Sequence, residues 1–141
     1  MRLLKDLDLS NKNVVLRLDL NVPIQDKRVL DPTRIISSVP TIKYLVDKNC
    51  KVLLTSHLGR PEEGAFDINF SMRPVADKLS EIINHEIDLI NSLASSDIFN
   101  TTQIQLLENL RFLVGEKDNN EELGYQLANK GDVYIFDAFG T

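Results

Sequence analysis

The sequence has few of the residues that mark a secreted protein. Its 141 residues include one cysteine, Cys50, and no tryptophan. A single cysteine cannot form an internal disulfide, and the charges of Lys5, Asp6 and Asp8 stand where a secretory signal needs an apolar segment. We therefore expect a cytoplasmic protein, with Cys50 as a small core residue.

Long apolar runs and an excess of positive charge are also missing. No apolar run approaches about 18 residues, the length that indicates a membrane span. The formal net charge is -5, and both nucleic acids and anionic membranes attract proteins of the opposite sign. We expect neither as a partner, so any anion that the chain binds must be small and recognised locally.

Several catalytic motifs are absent. The sequence has no GxGxxG, HExxH or CxxC motif and no serine elbow. Residues 59–66 have glycines spaced as in a Walker A loop, but Ala65 and Phe66 stand where lysine and serine or threonine are required. We expect no P-loop, no metal site and no cofactor-binding residue in this chain.

Strand-like and helix-like segments alternate along the chain. Asp31 and Pro32 provide an N-cap and a first-turn proline, and Pro40 should kink the following helix or break it in two. This alternation predicts one α/β domain, a doubly wound parallel sheet with helices on both faces in three layers, similar to a Rossmann fold. The predicted strands are 13–18, 51–55, 86–90, 103–107 and 133–136, and the predicted helices are 31–48, 71–83 and a segment from Asn119 or Asn120 to Gly131 as its C′ residue.

Ligand-type residues follow four of these strands. In a parallel sheet the carboxyl ends of the strands share one edge, so these side chains can meet in one crevice. Arg34 lies in the first turn of a helix, where the macrodipole disfavours a cation but favours a bound anion. The residues concerned are Arg17, Asp19 and Asn21, then His57 and Arg60, then Arg111 and Asp137.

Each candidate also has a structural explanation. The loop of His57, Gly59 and Arg60 suits a phosphate, but it can equally be a surface loop with an isolated arginine. Asp19 and Asn21 can form an Asx turn before a proline. Arg34 can be solvated, and Arg111 can pair with Glu108 or Glu116.

Six segments, taken in order, resemble the N-terminal domain of phosphoglycerate kinase over essentially the whole chain. They are LRLDLNVP at 16–23, DPTRI at 31–35, VPTIKYL at 39–45, LLTSHLGRP at 53–61, LLENLRF at 106–112 and GDVYIFDAFGT at 131–141. The resemblance implies an enzyme of glycolysis that moves a phosphoryl group reversibly from 1,3-bisphosphoglycerate to ADP, giving 3-phosphoglycerate and ATP. It also implies Mg²⁺ with ATP or ADP, held by a second domain.

The resemblance assigns roles to single residues. Asp19 and Asn21 match residues that hold the hydroxyl and carboxyl end of the substrate, and Arg34 matches the arginine placed against the transferring phosphoryl group. Arg17 is expected to act through other residues. The phosphate-binding positions matched are His57, Leu58, Gly59, Arg60 and Arg111.

Two departures from the family pattern stand out. Phe136 occupies a position that is often asparagine, and we expect it only to pack. The sequence ends at Thr141, whereas the family continues with another substrate arginine and the nucleotide domain. We expect residues 1–141 to be an incomplete phosphoglycerate-binding domain, monomeric and inactive alone. The alternative from another class is a non-catalytic α/β module that binds a small phosphorylated acid.

Overall fold

A computed structural model describes residues 8–56, 70–109, 126–127 and 129–136. Five strands form one sheet in the order β5-β6-β4-β1-β7, and a two-stranded hairpin lies beside it. The elements in chain order are β1 (Asn13–Arg17), β2 (Ile24–Gln25), β3 (Arg28–Val29), α1 (Thr33–Asp47), β4 (Lys51–Thr55), α2 (Arg73–Ile83), β5 (Ile87–Ile90), β6 (Ile104–Leu107) and β7 (Val133–Phe136).

All neighbouring strands of the main sheet run parallel, which confirms the predicted α/β class. β1 pairs with β4 from Asn13 opposite Lys51 to Arg17 opposite Thr55, and it pairs with β7 on its other side. β6 lies between β4 and β5. The carboxyl ends of β1, β4, β6 and β7 therefore share one edge, as the sequence predicted.

The two faces of the sheet carry separate layers. Side chains alternate along a strand, so Val14 and Leu16 pack in one buried cluster and Val15 packs in another. The first cluster also contains the buried faces of α1 and α2, and the second contains Phe99 and Leu127. Cys50 is buried in the first cluster, as expected.

The predicted boundaries hold to within about two residues, the usual uncertainty of element ends. β4 and β7 match the prediction. α1 begins at Thr33, two residues after the predicted cap. The N-cap is Pro32 and not Asp31 as predicted, and no side chain caps it. The Oδ1 of Asp31 accepts the backbone N–H of Thr33, two residues further on, at 3.0 Å, as in an Asx turn.

Pro40 was predicted to kink the first helix or to break it in two, and the break does not occur. α1 runs unbroken from Thr33 to Asp47 with Pro40 inside it. Pro40 offers no N–H to the carbonyl of Ile36, but both residues are exposed. Because water can hydrate a carbonyl on this side of the helix, the missing bond is tolerated.

The hairpin of β2 and β3 was not predicted. Its two turn residues, Asp26 and Lys27, have φ angles of 53° and 64°, as a type I′ turn requires. Such turns are usually recognised by Asn-Gly or Asp-Gly, and Asp-Lys gives a much weaker signal.

The role predicted for Gly131 is corrected by the structure. It does not have the left-handed φ of a helix C′ glycine; instead, an added Cβ would lie 2.7 Å from the carbonyl oxygen of Asn13. Glycine is needed here because two backbones approach closely. Of the helix predicted before it, the structure describes residues 126–127, which are helical, and residues 129–130, which form a turn. No helix in the described ranges is both long and apolar enough to cross a membrane.

Candidate functional site

The described residues include four of the predicted site residues: Arg17, Asp19, Asn21 and Arg34. The other predicted positions, His57, Leu58, Gly59, Arg60, Arg111 and Asp137, lie outside the described residues.

The segment after β1 presents Asp19 and Asn21 by simple alternation. Leu18, Leu20 and Val22 are buried in the core, whereas the two polar residues between them are partly exposed. An extended chain turns successive side chains to opposite sides. The apolar residues therefore anchor the segment and leave both polar side chains facing away from the core.

Two hydrogen bonds fix this segment to the end of β4. The N–H of Leu18 donates to the carbonyl of Thr55 at 2.9 Å, and the N–H of Leu20 donates to Ser56 Oγ at 2.9 Å. Leu20 and Ser56 are both buried. Sequence reasoning did not single out Ser56, although it lies within the SHLGRP motif.

Arg34 reaches from the first turn of α1 to the same segment. Its Nη1 donates to the carbonyl oxygen of Asn21 at 2.7 Å and lies 3.3 Å from Asp19 Oδ1. The side chain of Arg34 is 43% exposed and that of Asp19 is 11% exposed. Arg34 is therefore held in place by β1 and the residues after it, and it is not a freely solvated arginine.

Asp19 also forms the Asx turn that the sequence allowed as an alternative to ligand binding. Its Oδ1 accepts the N–H of Asn21 at 3.1 Å, which is an Asx turn. The turn and the ion pair both use Oδ1. Within the described part of the chain, Asp19 Oδ2 and the Nε and Nη2 atoms of Arg34 make no hydrogen bond.

An open cleft of about 380 Å³ lies beside this pair. It is bounded by the segment after β1 and by the first turn of α1. Its lining residues are Asn21, Val22, Pro23, Asp31, Thr33, Arg34 and Ser37. Backbone N–H groups at a helix N-terminus together with a guanidinium make this cleft suitable for a small anion.

Asp31 also lines the cleft and brings a negative charge to it. The pKa of its carboxyl is lowered, chiefly because the Thr33 hydroxyl donates to it, then because the Thr33 N–H does so, with a smaller contribution from the positive charge of Arg34. The hydroxyl bond is 2.6 Å long. A carboxylate at this helix start offsets part of the unfavourable placement of Arg34.

The end of β4 also carries a buried hydroxyl without a partner. Thr55 is fully buried, and its Oγ1 makes no hydrogen bond to any residue that the structure describes. Most buried hydroxyls have a partner. Its position opposite Arg17 in the parallel register places it at the same sheet edge as the cleft.

Arg17 and Phe136 interact at the ends of β1 and β7. The guanidinium carbon of Arg17 lies 5.4 Å from the centre of the Phe136 ring, within the range of a cation–π contact. The ring is 60% exposed. The expectation that Phe136 only packs is therefore wrong, since the ring lies at the surface and contacts a cation.

A second polar group lies at the end of β6. Glu108 and Asn109 are buried and bond to the residues that begin α2. Sequence reasoning considered Glu108 only as a partner for Arg111. Among the described residues, no group of three or more His, Cys, Asp or Glu side chains could hold a metal ion.

Comparison with known proteins identifies one recurrent similarity. The family model described as phosphoglycerate kinase matches residues 4–141. A phosphoglycerate kinase of Desulfovibrio desulfuricans is 46% identical over 138 residues, and one of Francisella tularensis subsp. holarctica is 44% identical over 138 residues. Each alignment covers 98% of this chain and 35% of the relative.

Solved structures agree with the sequence comparison. The structure of phosphoglycerate kinase from Coxiella burnetii superposes with a TM-score of 0.88 at 40% identity, covering 98% of this chain and 35% of that one. The crystal structure of the Pyrococcus horikoshii enzyme gives a TM-score of 0.83 at 28% identity, covering 100% of this chain and 37% of that one. The chain thus spans about a third of the length of the proteins that it matches.

Proposed function

The chain belongs to the phosphoglycerate kinase family, and on this premise we propose that it forms the phosphoglycerate-binding part of such an enzyme. The reaction proposed for the whole enzyme is reversible phosphoryl transfer from 1,3-bisphosphoglycerate to ADP, giving 3-phosphoglycerate and ATP. The chain spans 35% of the relatives' length. For this reason the phosphoryl transfer of the whole enzyme is a proposal.

The observation that carries the proposal is the pairing of Arg34 with Asp19 beside the cleft. Arg34 Nη1 is used to hold the side chain against Asp19 and Asn21. The Nε and Nη2 atoms can donate to an anionic oxygen, and Asp19 Oδ2 can accept from a hydroxyl. A ligand that carries a hydroxyl group next to an anionic group satisfies both, and 3-phosphoglycerate is such a molecule.

Phosphoryl transfer requires mainly positioning and cations directed at developing charge. We infer that Arg34 faces the transferring phosphoryl group while Asp19 and Asn21 hold the hydroxyl and carboxyl end of the substrate. The remaining ligands in this proposal are His57, Leu58, Gly59, Arg60 and Arg111, which would bind the phosphate at the far end of the same molecule.

The residues around the cleft do not form a magnesium site. Mg²⁺ prefers several oxygen ligands, whereas Asp19 is already paired with a guanidinium. We therefore propose that Mg²⁺ and the nucleotide bind to the rest of the enzyme, outside the third of its length that this chain spans. We also propose that the 141-residue chain has no kinase activity alone.

The proposal also covers location and assembly. Cys50 is buried as a free thiol, which fits the reducing cytoplasm. That the protein is a monomer stays a prediction, which sedimentation velocity would test.

Calorimetric titration of the chain with 3-phosphoglycerate tests the proposed function. We expect saturable binding to the wild type and a loss of about tenfold or more in Arg34→Ala, since a hydrogen bond to a charged group contributes about 1.5–3 kcal/mol.

Arg73→Ala is a matched control for this titration. Arg73 also opens a helix and is also ion-paired, with Asp77 at 3.8 Å, but it does not line the cleft. Its substitution should leave the affinity unchanged. Equal losses in both variants, or no binding by the folded wild type, would contradict the proposal.

A further inference from the structure

Asp31 carries a negative charge in a cleft for which we propose an anionic substrate. It lies two residues before α1 and lines the same cleft as Arg34. Among the described residues that line this cleft, Asp31 and Arg34 are the two with charged side chains. Because like charges repel, a carboxylate at this position acts against the binding of an anion.

The positive charge of Arg34 is already matched by another carboxylate. Its Nη1 lies 3.3 Å from Asp19 Oδ1, so Arg34 is paired with Asp19. Asp31 therefore adds a negative charge beyond that pair. Pairing with Arg34 alone does not account for an acid at position 31, because Asp19 serves that purpose.

Thr33 holds the carboxylate of Asp31 in place. Asp31 Oδ1 accepts the Thr33 hydroxyl at 2.6 Å and the Thr33 N–H at 3.0 Å. Thr33 is the first residue of α1 and also lines the cleft. Donors at the start of a helix favour a bound anion. The carboxylate of Asp31 thus takes two donors that an anionic ligand in the cleft would otherwise be able to use.

Asp31 is charged at neutral pH. The hydrogen bond from the Thr33 hydroxyl, and then the one from the Thr33 N–H, lower the pKa of Asp31 below 3.8. The repulsion of an anion and the occupation of the two donors are therefore both present under physiological conditions.

We propose that Asp31 is an affinity-limiting residue of the cleft, whose carboxylate repels an anionic ligand and occupies two donors at the start of α1. The inference rests on the proposed function, in which the cleft binds phosphoglycerate. Tighter binding of the ground state lowers KM without raising kcat. A residue that weakens this binding favours release of the ligand, as a reversible reaction requires in both directions.

A purely structural role for Asp31 predicts the opposite result. If Asp31 only fixed the start of α1, its substitution would loosen Arg34 and weaken binding. Asp31→Asn separates the two roles, because asparagine keeps an acceptor oxygen and forms the same kind of turn. The substitution removes the charge and keeps an acceptor for both donors of Thr33.

Calorimetric titration of the 141-residue chain with 3-phosphoglycerate tests the inference. At low salt we expect Asp31→Asn to bind about twofold to fivefold more tightly than the wild type, the range of an exposed charge interaction. In about 1 M salt, where the screening length is about 3 Å, the two affinities should become equal.

Asp47→Asn is the matched control. Asp47 is the last residue of α1, about 20 Å from Thr33 at the helical rise of 1.5 Å per residue, and it does not line the cleft. The substitution changes the net charge by the same amount and should leave the affinity unchanged. An equal gain in both variants would assign the effect to overall charge and overturn the inference.

A second probe separates this inference from the proposed function. Unchanged or weaker binding of 3-phosphoglycerate by Asp31→Asn overturns the inference. If the wild type does not bind 3-phosphoglycerate, the proposed function fails, and a titration with inorganic phosphate followed at the Arg34 Nε–H resonance decides the inference alone. Saturation at a lower phosphate concentration in Asp31→Asn than in the wild type supports it, and equal saturation or none in both overturns it.

Discussion

At the scale of single residues, Arg34 lines the cleft and is held by Asp19 and Asn21, whereas Asp19 does not line the cleft itself. An ion pair as exposed as theirs contributes at most about 1 kcal/mol to stability, with side chains 43% and 11% exposed. Its main consequence is therefore geometric. One guanidinium nitrogen is fixed on the segment after β1, and the other two face outward from a known position.

The catalytic role that we propose for Arg34 predicts a specific kinetic change. We consider a chimera in which residues 1–141 replace the matching third of the Desulfovibrio desulfuricans relative. In an active chimera, Arg34→Ala should lower kcat by roughly 100-fold, because a donor directed at developing charge is worth about 3 kcal/mol. Arg34→Lys should recover only part, since an ammonium lacks the planar fork.

Steady-state kinetics with Arg73→Ala as the control check this prediction. The control should keep its kcat within about threefold of the parent chimera. A rise in KM alone for Arg34→Ala would assign Arg34 to ground-state binding and remove it from the chemical step.

The pKa of Asp31 provides a second prediction at this scale. Two donors from Thr33 hold the pKa of Asp31 below its usual value of 3.8. A lowered folded-state pKa means that the contribution to stability is present above pH 3.8 and is lost as the pH falls through the folded-state pKa. Thr33→Val removes the hydroxyl donor and should move the pKa of Asp31 up towards 3.8.

Carboxyl-carbon NMR during an acid titration measures this pKa directly. Ser37→Ala is a suitable control, because Ser37 lines the same cleft but its hydroxyl donates to the Thr33 carbonyl. An Asp31 pKa that is the same in Thr33→Val and the wild type would show that the hydroxyl bond has no effect.

At the scale of elements, α1 contains the clearest conflict between sequence and structure. Pro40 lies inside the helix, although an interior proline is about 3 kcal/mol less favourable than alanine. α1 persists because Ile35, Ile42 and Leu45 are fully buried against the sheet, and tertiary packing outweighs local propensity.

Pro40→Ala should therefore stabilise the protein. The alanine restores the N–H that the carbonyl of Ile36 lacks, and we expect a gain of about 1–2 kcal/mol after the greater freedom of the unfolded chain is included. Urea unfolding measures the change.

Pro74→Ala is the matched control for this measurement. Pro74 lies in the first turn of α2, where a proline is well tolerated. Replacing Pro74 should not raise the free energy of unfolding. An equal rise in both variants would mean that the position of the proline within its helix has no effect.

The elements that could be predicted from the sequence are those whose own residues form a recognisable pattern. β4 and β7 are continuous apolar runs, and their bounds matched. Asp19 and Asn21 were likewise identified from their position directly after a strand. The β2–β3 hairpin was missed because Asp26 and Lys27 lack the usual glycine. The burial of Glu108 could not be predicted, because its partners Ser71 and Met72 are tertiary contacts without a local sequence pattern.

At the scale of the whole molecule, a chain of net charge -5 would need local cations to bind the anionic substrate that we propose. The fold achieves this by bringing the ends of β1 and β4 together and placing the start of α1 beside them. The proposed contacts are partly exposed, so added salt should weaken them, with a screening length of about 10 Å at 0.1 M. The similarity to known kinases extends over the whole chain, which places this cleft within a larger enzyme in our proposal.

The central claim is that the cleft between the segment after β1 and the start of α1 binds phosphoglycerate. Its most direct test is an NMR titration of the isotope-labelled chain with 3-phosphoglycerate. The account predicts saturable shifts that cluster at residues 19–21, at the Arg34 side chain and at Ser56. Shifts concentrated instead at the separate cleft lined by residues 92–94, 126, 129 and 130, or no saturable shift in a folded sample, would contradict it.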